Sequence, residues 1–260
     1  MMFPVTLPRI SWGDPRAPRR TLLVHGLGST AALMWRFGVA LAEDGWRADA
    51  VDLRGHGVAP RVLDYTIPAY AADLARTRPE ESDATWDLVI GHSLGGAATT
   101  LAAAATPEWT RRIILIDPAI HLSAHDREVV RRSQEEAFAD PTEGAVRAAH
   151  PQWHPHDIEL KALAARQASR WAVEQTSLQN PVWDVRDALA RLDVDVDVLA
   201  ADPGVYSIFD GPLATEVLAA NDRVRMTVVT GAGHSPHRDK PEQTVAELRR
   251  VLQERRTMGS

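Results

Sequence analysis

The chain has 260 residues, 45% hydrophobic and 25% charged, with no cysteine and a formal net charge of −6. Without cysteine there is neither a disulfide framework nor a thiolate metal site. No Lys/Arg run offers a footprint for nucleic acid, and no stretch approaches the 18 apolar residues of a membrane span. The amino terminus, Met1 to Arg9, lacks the charged start and long apolar core of a signal peptide. These bounds predict a cytoplasmic protein with a sizeable core, acting on a small molecule rather than on nucleic acid or a membrane.

Residues 3–12 are short apolar pieces broken by Pro4 and Pro8 and suit an edge strand. Thr21 to Val24 is a continuous apolar run, as in a buried parallel strand, and ends in His25-Gly26-Leu27-Gly28-Ser29. A helix is predicted from Ala31 to Glu43, a strand from Ala48 to Asp52 and a glycine loop over 53–57. A helix from Pro68 to Arg76 and strands over Trp86 to Ile90 and Ile113 to Ile116 follow. From His121 to Leu192 the pattern is helical throughout, and strand signals resume at Val194 to Ala200 and Val224 to Thr230. A helix from Pro241 to about Glu254 closes the chain. Strands alternating with helices predict an α/β fold: a mostly parallel sheet with helices on both faces. The division expected is a core of residues 1–120 and 193–260, with 121–192 as an inserted helical cap over the sheet's C-terminal edge, where open α/β sheets bind ligands.

The chemistry centres on Leu88-Val89-Ile90 running into Gly91-His92-Ser93-Leu94-Gly95-Gly96 and an alanine-rich helix. Gly-x-Ser-x-Gly between strand and helix is the pattern of a nucleophile elbow: a serine on a strained turn, with glycines where side chains would collide with backbone. The following helix points its N-terminus at the serine, so the Leu94 N–H is placed to stabilise an oxyanion. A serine nucleophile needs a base and a group that orients the base. His234, in Gly231-Ala232-Gly233-His234 between the last strand and the last helix, is the candidate base. Asp202, just past the strand ending at Ala200, is the first candidate acid, with Asp117 and Asp210 as rivals.

These pieces, with Leu23-Val24-His25-Gly26-Leu27-Gly28, Asp52-Leu53-Arg54-Gly55-His56-Gly57 and Leu115-Ile116-Asp117-Pro118, span nearly the whole chain. Their order resembles that of the α/β-hydrolase superfamily, in which nucleophile, acid and base follow one another along the chain. The resemblance implies the α/β-hydrolase fold and adds the Leu27 N–H as second oxyanion donor. One departure stands out. Many relatives carry Gly-x-x-Asp after the acid-bearing strand, whereas here Ala201-Asp202-Pro203-Gly204 places the aspartate early.

Met34, Trp35, Phe138, Trp153, Trp171, Trp183 and Tyr206 are candidates for the substrate pocket, with helix packing as the competing role for each. His154 and His156 stand close enough to raise metal binding, but a solvated loop suits them better, and no metal site is assigned. The expected activity is hydrolysis of a small apolar ester or lactone through an acyl-enzyme, without metal, cofactor or nucleotide. The resemblance extends to small bacterial N-acyl-homoserine lactonases, which makes lactone hydrolysis the favoured expectation. A general carboxylesterase, a carbon–carbon hydrolase and a small-molecule receptor on the same fold are the alternatives.

Overall fold

A computed structural model describes residues 3–79 and 84–258, so Met1 and Met2 of the amino-terminal reading lie outside the described residues. In chain order the elements begin β1 (Arg9–Trp12), β2 (Arg19–Val24), α1 (Trp35–Glu43), β3 (Trp46–Val51), α2 (Ile67–Arg76), β4 (Leu88–His92), α3 (Leu94–Ala105) and β5 (Arg112–Ile116). Five helices follow: α4 (Ala124–Ala139), α5 (Glu143–Ala149), α6 (Pro155–Gln167), α7 (Arg170–Leu178) and α8 (Arg186–Ala190). The chain closes with β6 (Asp195–Ala200), α9 (Gly211–Ala220), β7 (Val224–Val228), α10 (Pro236–Asp239) and α11 (Pro241–Met258).

Among the described residues the strands form one sheet in the order β1-β3-β2-β4-β5-β6-β7. β1 lies at the sheet edge, as the proline-broken segment suggested, and alone runs antiparallel, against β3. The central strands are apolar on both sides because both faces are covered. Leu22, Val24, Val89, Ile113, Leu115, Val196 and Val198 join one core with α2 and α3 residues such as Tyr70, Leu74, Ala97 and Ala102. Their neighbours in the strands, among them Leu23, Ile90, Ile114, Ile116 and Leu199, join a second core with Phe37 and Leu41 of α1 and Leu248 and Val251 of α11. This is the two-residue alternation of a strand expressed as two separate cores.

Two helix readings change. The helix expected from Ala31 begins as a 3-10 turn, Ala31–Met34, before α1. A helix not expected from sequence, α9, begins at Gly211. Between β5 and β6 the regular elements are the helices α4 to α8, joined by loops, with an isolated bridge between His121 and Asp184.

Candidate active site

Every parallel strand carries its C-terminal end to one edge, and the elbow is built there. The β4 chain turns at Ser93 into α3 with φ 53° and ψ −119°. The flanking glycines are required by space. A Cβ on Gly95 would lie 2.5 Å from the carbonyl oxygens of Val24 and His25, and one on Gly91 would lie 2.7 Å from the Gly95 oxygen. Gly26 is equally constrained, since its Cβ would meet the Ser93 Cβ at 2.9 Å. The His25-Gly26-Leu27 loop therefore lies directly against the serine.

His234 Nε2 is 3.0 Å from Ser93 Oγ. His234 Nδ1 is 2.6 Å from Asp117 Oδ2, and that bond fixes the tautomer: Nδ1 donates and Nε2 is left to accept the serine proton. Asp117 is fully buried. Its Oδ1 also accepts the Ala201 N–H at 3.1 Å and the Ser207 hydroxyl at 2.6 Å, and its Oδ2 the Ile208 N–H at 3.2 Å. Four donors thus converge on the buried Asp117 carboxyl and fix its orientation toward His234.

This arrangement corrects the acid expected from sequence. Asp202 does not touch His234. It is a loop clamp, accepting the N–H of Gly204 at 2.8 Å and of Gly231 at 2.7 Å, and those bonds hold its carboxyl below the usual carboxylate range. Asp210 precedes α9, and burial and the Asp117 charge raise its carboxyl.

Leu94 is the first residue of α3, so its N–H has no intrahelical acceptor. Neither it nor the Leu27 N–H has an acceptor among the described residues. Behind them, histidines hold the loops in a neutral state. His25 Nε2 accepts the Leu53 N–H at 3.1 Å, so its Nδ1 donates to the Gly26 carbonyl at 2.7 Å. Burial brings His25 down to about 4 and His56 to about 3. Burial, and then the nearby His234, hold His92 well below the ordinary imidazole range, and its Nε2 donates to the His234 carbonyl at 2.8 Å. Arg54 pins its own loop to α2, with Nε and Nη2 each 2.6 Å from an oxygen of Asp73.

Ser93 and His234 open into a cavity of about 580 Å³ lined by Leu27 from the core and by Val129, Val130, Trp153 and Lys161 from the helices after β5. Of the pocket residues expected from sequence, Trp153 and Tyr206 line it. The other five do not. Met34 is part of the second core. Trp35 turns away and donates to Asp157 at 2.8 Å, while Trp183 is buried and donates to the Ala119 carbonyl at 2.7 Å. Trp171 is half exposed against Tyr65, and Phe138 is partly buried on α4 outside the lining. His154 caps α6 by accepting the His156 N–H, and His156 pairs with Glu159 at 3.2 Å. The residues that sequence reading passed over are the charged ones in the lining, Lys161, Arg238, Asp239 and Lys240.

A serine–histidine–aspartate chain ending on a buried aspartate at the C-terminal edge of a parallel sheet, with the serine on a strand–helix elbow, defines an α/β-hydrolase. The sequence model of the alpha/beta hydrolase family matches residues 21–248, and the chain belongs to that family. It is similar to Lipase LipV of Mycobacterium tuberculosis, 33% identical over 153 residues, a match that spans 58% of this chain and 57% of LipV. It is also similar to Esterase YbfF of Escherichia coli, 25% identical over 241 residues, 89% of this chain and 92% of YbfF. The crystal structure of E-2-(acetamidomethylene)succinate hydrolase superposes with a TM-score of 0.79 at 22% identity, over 96% of each chain, and shares the fold. Among the described residues no helix is long and apolar enough to cross a membrane.

Proposed function

We propose that the chain is a serine carboxylesterase acting on small esters, with Ser93 as nucleophile, His234 as base and Asp117 as the acid that orients it. The observation that carries this reading is the unbroken hydrogen-bonded chain from Ser93 Oγ through His234 to Asp117. In the acylation step the Ser93 oxygen bonds to the ester carbonyl carbon while His234 Nε2 takes its proton. The carbonyl oxygen becomes anionic against the Leu27 and Leu94 N–H groups, each worth roughly 3–4 kcal/mol of transition-state stabilisation. Collapse expels the alkoxide, which takes the proton from His234. Water then repeats the sequence on the acyl-enzyme, releases the acid and restores Ser93. Burial of Asp117 matters because its charge faces an imidazolium in a setting where water does not screen it.

The helices over 121–192 act in this reading as a cap, since α4, the loop before α6 and α6 itself supply much of the cavity wall. Similarity to proteins named esterase and lipase supports ester hydrolysis in general. Lactone hydrolysis uses the same machinery and is the narrower form of the reading. A complete, aligned triad supports turnover over a receptor role.

The test is a pH-stat assay on short-chain methyl and p-nitrophenyl esters and on N-acyl-homoserine lactones, with Ser93→Ala as control. The reading expects ester turnover that falls at least about 10³-fold in the control. A control as active as the parent would overturn it. Turnover confined to lactones would replace the general esterase by the narrower activity.

A further inference from the structure

The cavity beside Ser93 contains more positive charge than its own carboxylate offsets. Lys161 enters from α6 and Arg238 from α10, four residues past His234, with Lys240 at the rim. Arg238 is 4% exposed. Its Nε donates to His237 Nε2 at 3.2 Å, and its guanidinium lies over the Trp153 ring at 5.0 Å. Among the described residues its terminal Nη groups have no hydrogen-bond acceptor. Lys161 Nζ donates to the Gly28 carbonyl at 3.0 Å, one of the three bonds an ammonium makes.

Asp157 and Asp239 offset part of the Arg238 charge, but their hydrogen bonds go to other donors. Asp239 accepts the Trp153 Nε1–H at 2.6 Å and the Gly233 N–H at 2.9 Å. Asp157 accepts from Trp35 and from Arg36, the latter at 2.7 Å. Two partly desolvated cations within electrostatic reach of each other, with unspent donors, are costly unless something of opposite charge arrives. Burial and then the Arg238 charge bring the Lys161 ammonium down to about 8, and burial brings Arg238 to about 10, so both remain charged at neutral pH.

We propose that the cavity takes a substrate bearing an ionised carboxylate in addition to the ester it cleaves, such as the half-ester of a dicarboxylic acid, with Lys161 and Arg238 holding that carboxylate. The proposal rests on the ester-hydrolase reading for its chemistry and adds the substrate class. It also departs from the apolar substrate expected from sequence.

The experiment compares monomethyl with dimethyl esters of succinate, glutarate and adipate. Each pair shares a skeleton and differs in one ionised carboxylate. In the parent, kcat/KM for the best monomethyl ester should exceed that of its dimethyl ester by about 10- to 100-fold, the range for hydrogen bonds to charged groups. In Lys161→Met that ratio should fall at least about tenfold, through the KM of the monomethyl ester, and Lys161→Arg should retain it. Arg238→Gln tests the second cation, and the partly exposed Lys161 supplies the variant that keeps the fold. A lysine that merely holds Gly28 would slow both esters alike and leave the ratio unchanged, which would overturn the proposal. So would a parent that prefers the dimethyl esters. Binding of the same compounds to Ser93→Ala by calorimetry separates the two readings. Selective binding of the monomethyl ester, lost in Ser93→Ala/Lys161→Met, would support the anion site even if the parent hydrolyses neither. Equal binding of both would refute the anion site while leaving ester hydrolysis to stand on turnover alone.

Discussion

Ser93 and Asp117 leave neighbouring parallel strands at the same level: the register pairs His92 with Ile116, the residue before each. They are also, among the described residues, the non-glycine positions with positive φ, 53° and 35°. Each such conformation costs on the order of 1–3 kcal/mol and persists because its surroundings impose it. Here the imposition is mutual. The Ser93 N–H donates to the Ile116 carbonyl at 3.2 Å, its carbonyl accepts the Ala119 N–H at 3.1 Å, and His234 bridges the two side chains.

This pairing separates two aspartates by experiment. Asp117→Asn should keep the fold and lower kcat by about 10³- to 10⁴-fold, because an amide at that position disturbs the His234 tautomer. Asp202→Asn should leave kcat within about threefold and lower only the melting temperature slightly, since it loosens a loop. Steady-state kinetics on one ester in both variants decide the matter, and the reverse ranking would restore Asp202 as the acid.

The Arg54–Asp73 pair is buried at both ends, 1% and 0% exposed in the side chains, and Asp73 also accepts the Val5 N–H at 2.7 Å. Arg54→Met should destabilise the protein by about 3–5 kcal/mol, because it strands a buried carboxylate. Arg54→Met/Asp73→Leu should recover a good part of that loss. Urea unfolding of the single and double variants measures both, and equal loss in the two would show that packing rather than charge holds the loop.

Acid should weaken the fold through its histidines. His25, His56, His92 and His237 are buried, and burial lowers all four, to about 4 for His25 and about 3 for His56. In the unfolded chain each titrates near 6.5. Below that pH the unfolded state binds protons that the native state refuses, so stability is complete above about 6.5. It is lost as pH falls through about 4 for His25 and onward to about 3 for His56. Each site contributes a slope of up to about 1.4 kcal/mol per pH unit. Urea midpoints at pH 7.5 and 5 should differ accordingly, and identical midpoints would contradict buried neutral imidazoles.

Gly95→Ala places a methyl 2.5 Å from two carbonyl oxygens of the Val24-His25 backbone. Backbone of a central strand yields little, so the variant should lose at least ~1–3 kcal/mol and displace the His25-Gly26-Leu27 loop from Ser93. Thermal melts and ester turnover should fall together. A variant with parental activity would show that the loop is not set by this contact.

The elbow was legible in the sequence because its constraints are local: Gly91, Ser93 and Gly95 answer to steric collisions within a few residues or across one strand. The sheet was legible for the same reason, through apolar runs such as Leu88 to Ile90 and Ile113 to Ile116. The acid was not. Asp117 and Asp202 both follow apolar strands, and the difference between them is made by Ala201, Ser207 and Ile208, whose donors converge on Asp117 from more than 80 positions along the chain. Trp153 and Trp183 posed the same difficulty. Each is nearly buried with its indole N–H satisfied, one by Asp239 and the other by the Ala119 carbonyl, and only the tertiary structure shows which one borders the cavity. Lys161 and Arg238 gave no signal, since a lysine or arginine in a helical, charge-rich stretch ordinarily faces water.

Asp117 precedes the helices between β5 and β6, as do Ser93 and the Leu27 loop, and only His234 comes after them. The proposed reacting groups are thus encoded in two blocks that flank the five helices α4 to α8. Exchanging that segment would re-tool what enters the cavity while the bond-breaking apparatus keeps its register. Among the bonds such an exchange would have to replace are those of Lys161 to Gly28, Asp157 to Trp35 and Arg36, and Trp153 to Asp239. A transplanted segment lacking the Lys161 bond would lose that grip on the loop beside the serine.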